Sequence, residues 1–235
     1  MAATKTEKMS SPYNPDIERP LPDGEVRSYR TLRRIVGVLG VSLPIVLAGW
    51  GFVLQGKFTV EPSISDYYYP LRTRDALVGV LFTVGWFLWD YHGYDKSDDV
   101  PGNFACLFAL GVALFPKSGP YASPTLHFTS AAGLFLILAY FAYFQFTKSA
   151  GRRTPEKKTR DRIYRTCGVA IVACMVLIVI YHLLFENTRL AALAPVFWLE
   201  TFALWAFGFS WFVKGDTLFK DKEPSIESLT AKPTT

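Results

Sequence analysis

The chain has 235 residues, half of them hydrophobic and 16% aromatic, with 19% charged and a formal net charge of +5. A mean hydropathy of +0.19, with charge crowded into two tails and one loop, excludes a soluble globule, a disordered protein and a secreted disulfide scaffold. The pattern predicts an all-α, polytopic transmembrane bundle of six helices with cytoplasmic N and C termini. Residues 1–28 are expected to be a disordered cytoplasmic tail, 29–214 the six-helix transmembrane domain, and 215–235 a second cytoplasmic tail.

In chain order, the first 28 residues are polar and contain Pro12, Pro15, Pro20 and Pro22, a composition that cannot bury a core. They lack the early apolar stretch of a cleavable signal, so the first span, 35–54, reads as a signal anchor. Further apolar runs predict spans over 75–91, 101–115, 124–147, 163–185 and 195–213. The second and third are short for a hydrocarbon core that takes about 20 residues. Twenty of the 25 Lys and Arg residues fall on the side of the two tails, the 92–99 segment and the 148–165 segment. That asymmetry places both termini in the cytoplasm. It also accounts for the positive net charge, and no nucleic-acid partner is expected. Cys106, Cys167 and Cys174 sit inside apolar runs and read as small buried hydrophobes.

Ionisable groups are costly in lipid and ordinarily face a bundle interior or a site. This topology gathers them in the outer half. Asp66 and Tyr67 lie in the outer loop and Asp75 at the outer start of span two. His127 begins span four, with Ser130 close behind. His182 and Glu186 close span five, and four residues apart they share a helical face. Glu200 is the one carboxylate well inside a span. These eight are the candidate ligand-binding residues. His127, His182 and Glu200, from three helices, are the candidate metal set, and imidazole with carboxylate suits zinc. The same groups could instead form a hydrogen-bonded plug that fixes helix packing. The run Tyr67, Tyr68, Tyr69, Pro70 suits a lid over the outer cavity or an aromatic anchor in the headgroup layer. The acidic segment with Asp90, His92, Asp95, Asp98 and Asp99 lacks EF-hand spacing and reads as a solvated turn. Gly37, Gly40, Ala105 and Ala109 permit close helix packing.

Between about Val60 and Lys148, the stretches SISDYYYPLRTRD, NFACLFALGVALFP and LHFTSAAGLFLILAYFAYF resemble a group of uncharacterised six-span bacterial membrane proteins. That group is distantly similar to the Frag1/DRAM/Sfk1 proteins and, through them, to the CREST superfamily of alkaline ceramidases and progestin/adipoQ receptors. The resemblance implies a Ser, an Asp and three His around a zinc ion that hydrolyses lipid amides. Ser123 and His127 match its Ser-x3-His step and Asp75 its Asp. Its His-x3-His pair has no counterpart, the nearest arrangement being His182-x3-Glu186, so the implied zinc site is altered or lost.

The expected function is an integral membrane protein of the bacterial inner membrane with a polar outer-leaflet site for a lipid or small amphiphile. It would act as a non-catalytic accessory or lipid-binding subunit. The alternatives are a CREST-like metal-dependent lipid hydrolase and a transporter or proton-coupled channel. Membrane lipids, a membrane-protein partner or a second copy of the chain are the expected partners.

Overall fold

The structure, a computed structural model, describes residues 23–56, 60–69, 73–91, 99–148 and 154–215. Among these there are six α-helices and no strand. They are α1 (Asp23–Gln55), α2 (Thr73–Trp89), α3 (Val100–Leu114), α4 (Pro124–Tyr140), α5 (Pro155–Leu184) and α6 (Pro195–Lys214). Each falls on one of the six apolar runs. Residues 1–22 and 216–235 of the expected tails, Pro70, Arg72, the segment 92–98 and the stretch 149–153 lie outside the described residues.

Helix α1 begins at Asp23, inside the segment expected to be disordered. Four stretches are long and apolar enough to cross a membrane: Ser28–Val53, Pro124–Gln145, Pro155–Leu184 and Pro195–Lys214. With 17 and 15 residues, α2 and α3 are about 25 and 22 Å long, short of the roughly 30 Å hydrocarbon layer.

Each helix packs on its neighbours in sequence, and α6 returns to pack on α1, closing a ring. Glycines set the closest approaches. A Cβ on Gly208 would lie 2.7 Å from both the Gly37 carbonyl oxygen and Val41 Cγ2, so α1 and α6 touch backbone to backbone. At the next turn Gly40 faces Phe207 and Gly208. Ala109 meets Gly85 across α2 and α3, and Ser130 of α4 occupies the space in front of Gly111 of α3. Pro44 removes one hydrogen bond from α1. Close by, the Val41 carbonyl accepts from the Trp205 indole of α6 at 3.1 Å, which ties the two helices at the break.

The connections separate into two ends. At the terminal end, Arg34 Nε donates to the Gly215 carbonyl (3.2 Å) and Tyr29 to the Asp90 carbonyl (3.3 Å). Its core is aromatic: Trp211 meets Phe146 edge-on at 5.2 Å and Tyr91 at 5.4 Å, an arrangement favoured by ring quadrupoles. Helix α4 widens into a π turn at Phe141–Gln145. The carbonyls that follow are met by ammonium groups, with Lys157 Nζ 3.1 Å from the Thr147 oxygen and Lys214 Nζ 3.5 Å from the Phe146 oxygen. The opposite, loop end carries 60–69, 115–123 and 185–194. Its core joins Leu43, Leu47, Ile64, Tyr67, Leu77 and Phe197.

Gly208→Val forces a side chain into the backbone of α1. Detergent-extracted Gly208→Val protein is expected to run as aggregate in size-exclusion chromatography. Gly79→Ala, at a position where a Cβ meets nothing within 4 Å, should run as the parent and gain up to about 1 kcal/mol of stability. Equal behaviour of the two variants would remove the close α1–α6 contact as a determinant of the fold.

Candidate functional site: the polar cap at the loop end

Residues 61–69 cross the loop end of the bundle, with a 3-10 turn at Ile64–Tyr68. Three consecutive residues of this turn are held by three different elements. Ile64 N donates to Glu200 Oε2 of α6 at 2.6 Å. Ser65 Oγ lies 3.0 Å from His127 Nε2 of α4. Asp66 Oδ2 lies 2.8 Å from Lys117 Nζ, on the connection between α3 and α4.

The first lock is reciprocal. The N–H groups of a first helical turn have no intrahelical acceptor. Phe197, in the first turn of α6, donates instead to the Pro62 carbonyl at 3.0 Å. Ile64, in the first turn of the 3-10 segment, donates to the Glu200 carboxylate. Each element therefore supplies the acceptor that the start of the other lacks. Pro195 at the first position of α6 removes one more donor that would need a partner. Ala194 turns the chain into α6 from the left-handed region, with φ 47° and ψ 54°.

The second lock fixes a tautomer. His127 Nδ1 lies 2.8 Å from the Phe115 carbonyl oxygen. A carbonyl only accepts, so Nδ1 carries the hydrogen and Nε2 is left as an acceptor for the Ser65 hydroxyl. The ring is 4% exposed, and the first turn of α4 positions it.

The third lock is an ion pair with a shared hydroxyl. Ser63 Oγ donates to Asp66 Oδ2 at 2.8 Å, and Lys117 Nζ donates to Ser63 Oγ at 3.0 Å. Tyr67 is buried against Phe197, with ring centroids 6.0 Å apart, and its hydroxyl accepts from Glu61 N at 3.3 Å. The Thr73 hydroxyl at the start of α2 donates to the Tyr67 carbonyl at 2.7 Å. Tyr69 Oη donates to the Ser118 carbonyl at 2.9 Å and accepts from Ser118 N at 2.8 Å. The Arg74 guanidinium lies over the Tyr68 ring at 4.6 Å. Burial, with the Asp66 carboxylate second, holds the Glu61 carboxyl above its ordinary range. Burial also raises the Tyr67 phenol, while the Glu61 N–H bond pulls it the other way.

The expected residues thus divide. Asp66, Tyr67, His127 and Glu200 converge on the 61–69 segment. Asp75 is exposed in the first turn of α2. Ser130 packs against Gly111 and serves the α3–α4 contact. His182 and Glu186 pair with each other at 3.5 Å on the exposed end of α5, with side chains 45% and 57% exposed. The structure does not bring the candidate metal set His127, His182 and Glu200 together. Among the described residues no three His, Cys, Asp or Glu side chains are placed to hold a metal ion. Both ring nitrogens of His127 already have partners, a Glu200 oxygen accepts from Ile64, and His182 turns to Glu186. The donor set does not fit zinc.

Ser63, Ser65, Lys117, Thr73 and the Phe115 carbonyl escaped selection from sequence. Their one signal was the clustering of Ser63, Ser65 and Asp66 beside the tyrosine run. Chemically, Ser65, His127 and the Phe115 carbonyl form a hydroxyl, a base and a group that orients the base, with a neutral carbonyl where a carboxylate often stands. No family model, curated protein or solved structure matches the chain.

Glu200→Leu leaves the Ile64 N–H buried without its acceptor, which costs about 1–3 kcal/mol. Thermal unfolding in detergent should come several degrees earlier, whereas Glu200→Gln, which keeps an acceptor oxygen, should lose less. In a parallel digest, chymotrypsin should spare Tyr67 and Tyr68 in the parent and cut there in Glu200→Leu. Prompt cleavage of the parent at those tyrosines would show that the segment is not held down.

Proposed function

We propose that this chain is a six-span integral protein of the bacterial inner membrane, with both termini cytoplasmic and the loop end facing outward. In this reading it is a non-catalytic accessory or lipid-binding subunit whose outer surface is a fixed polar cap. The observation that carries the reading is the triple lock: Glu200, His127 and the Asp66–Lys117 pair each hold one of three consecutive loop residues. Polar groups engaged in this way rigidify a surface. The orientation draws on the Lys/Arg asymmetry, since the described cations of the richer side, among them Arg30, Arg34, Lys148, Lys158 and Lys214, lie at the terminal end. The short α2 and α3 cross by local thinning of the bilayer or with their flanking polar groups in the headgroup layer.

The accessory role also draws on α5. Beyond Cys174 no residue of this helix is buried, and Leu183 and Leu184 are 75% and 67% exposed. The exposed apolar surface continues through Leu190 and Leu193. A span that packs only within its own bundle keeps one buried stripe. Here only Met175, Ile178 and Tyr181 are half-buried, and the rest of the half-helix is exposed and mostly apolar, as a surface for lipid or a second protein would be. The Frag1/DRAM/Sfk1 and CREST resemblance remains part of the proposal for the 60–148 region, without its zinc chemistry.

A second reading has one specific observation in its favour. The Ser65 hydroxyl is aimed at the acceptor nitrogen of an oriented histidine, as in a serine hydrolase acting on lipid esters or amides at the outer surface. A fluorophosphonate probe decides between the readings. The accessory role predicts no adduct on Ser65 and unchanged labelling in Ser65→Ala. A Ser65 adduct that disappears in His127→Gln would install the hydrolase instead.

Topology has its own test. Cysteines introduced by Pro120→Cys and Pro155→Cys should react with a membrane-impermeant maleimide from outside only and from the cytoplasmic side only, respectively. The native Cys106, Cys167 and Cys174 are buried and give little background. Reversed labelling would invert the assignment of the cap to the outer face.

A further inference from the structure

A groove of about 520 Å³ opens at the terminal end between α5 and the π turn of α4. Lys158, Arg162, Arg165 and Val169 line it from α5, and Tyr143 faces them from the π turn. Spacings of four, three and four put the α5 residues on one helix face. The Arg165 guanidinium lies 5.9 Å from the Tyr143 ring centroid, which holds one cation at the rim. The one carboxylate in the lining, Asp161, is paired with Lys157 Nζ at 2.5 Å. The three groove cations therefore face an anion without that carboxylate opposing them.

The same face continues away from the cations as Val169, Val172, Val176 and Val179, exposed by 57, 41, 51 and 57%. From Arg165 to Val176 the helix rises about 16 Å, close to half of the roughly 30 Å hydrocarbon layer. The face thus presents a cationic head and then an apolar track one leaflet deep. Gly168 keeps α5 close to α4 beside this step, since a Cβ there would lie 2.8 Å from Tyr143 Cβ and 3.1 Å from the Ala139 carbonyl. Basic pockets between spans at the cytoplasmic side suit anionic headgroups, and guanidinium groups match phosphate geometry.

We propose that this groove binds the phosphate headgroup of an anionic glycerophospholipid, with the acyl chains lying along the valine track of α5. The site is separate from the polar cap, and it rests on the reading of the bundle as membrane-spanning.

The test uses the full chain in nanodiscs of equimolar phosphatidylcholine and phosphatidylglycerol, with retained lipid counted by native mass spectrometry after gentle delipidation. The parent should retain phosphatidylglycerol over phosphatidylcholine. Arg162→Gln/Arg165→Gln should reduce that preference by roughly 30-fold, taking about 1 kcal/mol for each cation. Arg162→Lys/Arg165→Lys, which keeps the charge, should retain most of it and guards against misfolding as the cause. Arg30→Gln/Arg160→Gln, which removes two cations of the same end that do not line the groove, should leave the preference unchanged. Equal loss in both glutamine pairs, or no preference in the parent, would overturn the proposal in favour of diffuse surface charge. Displacement of the lipid by soluble glycerol phosphate at matched concentration would overturn it in favour of a simple anion site. Carbonate extraction of native membranes checks the spanning reading separately: a protein released by carbonate is not an integral one, whatever the lipid counts.

Discussion

Ile64, Ser65 and Asp66 are neighbours in sequence, yet their partners come from α6, α4 and the α3–α4 connection. That divergence follows from one constraint. Where water is scarce, each backbone donor and each ionisable side chain needs a partner inside the protein. Two helical starts meet at this end with unsatisfied N–H groups, and a buried carboxylate and a carbonyl are the acceptors placed to receive them. Most other features of the loop end are consequences. Tyr67 is buried because the locks bring its ring down onto Phe197. His127 has one tautomer because a carbonyl fixes one nitrogen and a hydroxyl the other. Lys117 belongs to a group of three polar atoms instead of reaching for solvent.

The cap also ties the loop ends of the helices together. With 17 and 15 residues, α2 and α3 pack on each other through Gly85 and Ala109. A single segment pinned to α6, α4 and the start of α2 sets the loop-end spacing of the ring. At the other end Trp211, Phe146 and Tyr91 fill the interior edge-to-face. Between the ends, Gly37 and Gly208 allow α1 and α6 to close the ring without intervening side chains. Aromatic packing tolerates small displacements, whereas directional hydrogen bonds do not.

The six helices were legible because apolar runs and their polar boundaries report burial directly, and the observed limits of α6, Pro195–Lys214, follow the run from Pro195 closely. Gly37 and Gly40 were legible as packing positions for the same reason. Glu200 and His127 stood out because an ionisable group in an apolar run is costly and so requires a partner. The identity of that partner was not legible. A peptide N–H from Ile64 has no signature in sequence, and Ser65 resembles any loop serine. The grouping of His127 with His182 was not legible either: equal depth in a membrane does not bring two helices' side chains together. His182 is exposed near the end of α5, where it pairs with its own i+4 neighbour, Glu186.

The two ends use charge in opposite ways. At the loop end Lys117 is neutralised within the fold by Asp66, and the Arg74 guanidinium is laid over Tyr68. At the terminal end Lys157 is likewise internal, engaged with Asp161 and the carbonyls after the π turn. One helical turn around α5, however, Lys158, Arg162 and Arg165 are exposed. A cation that completes the fold adds little to recognition of a ligand, because its field is already compensated. A row of cations left on one face above an apolar track retains its field for an external anion. On that physical ground the loop end spends its charge on the fold, and the α5 face at the terminal end is the one proposed to meet anionic headgroups.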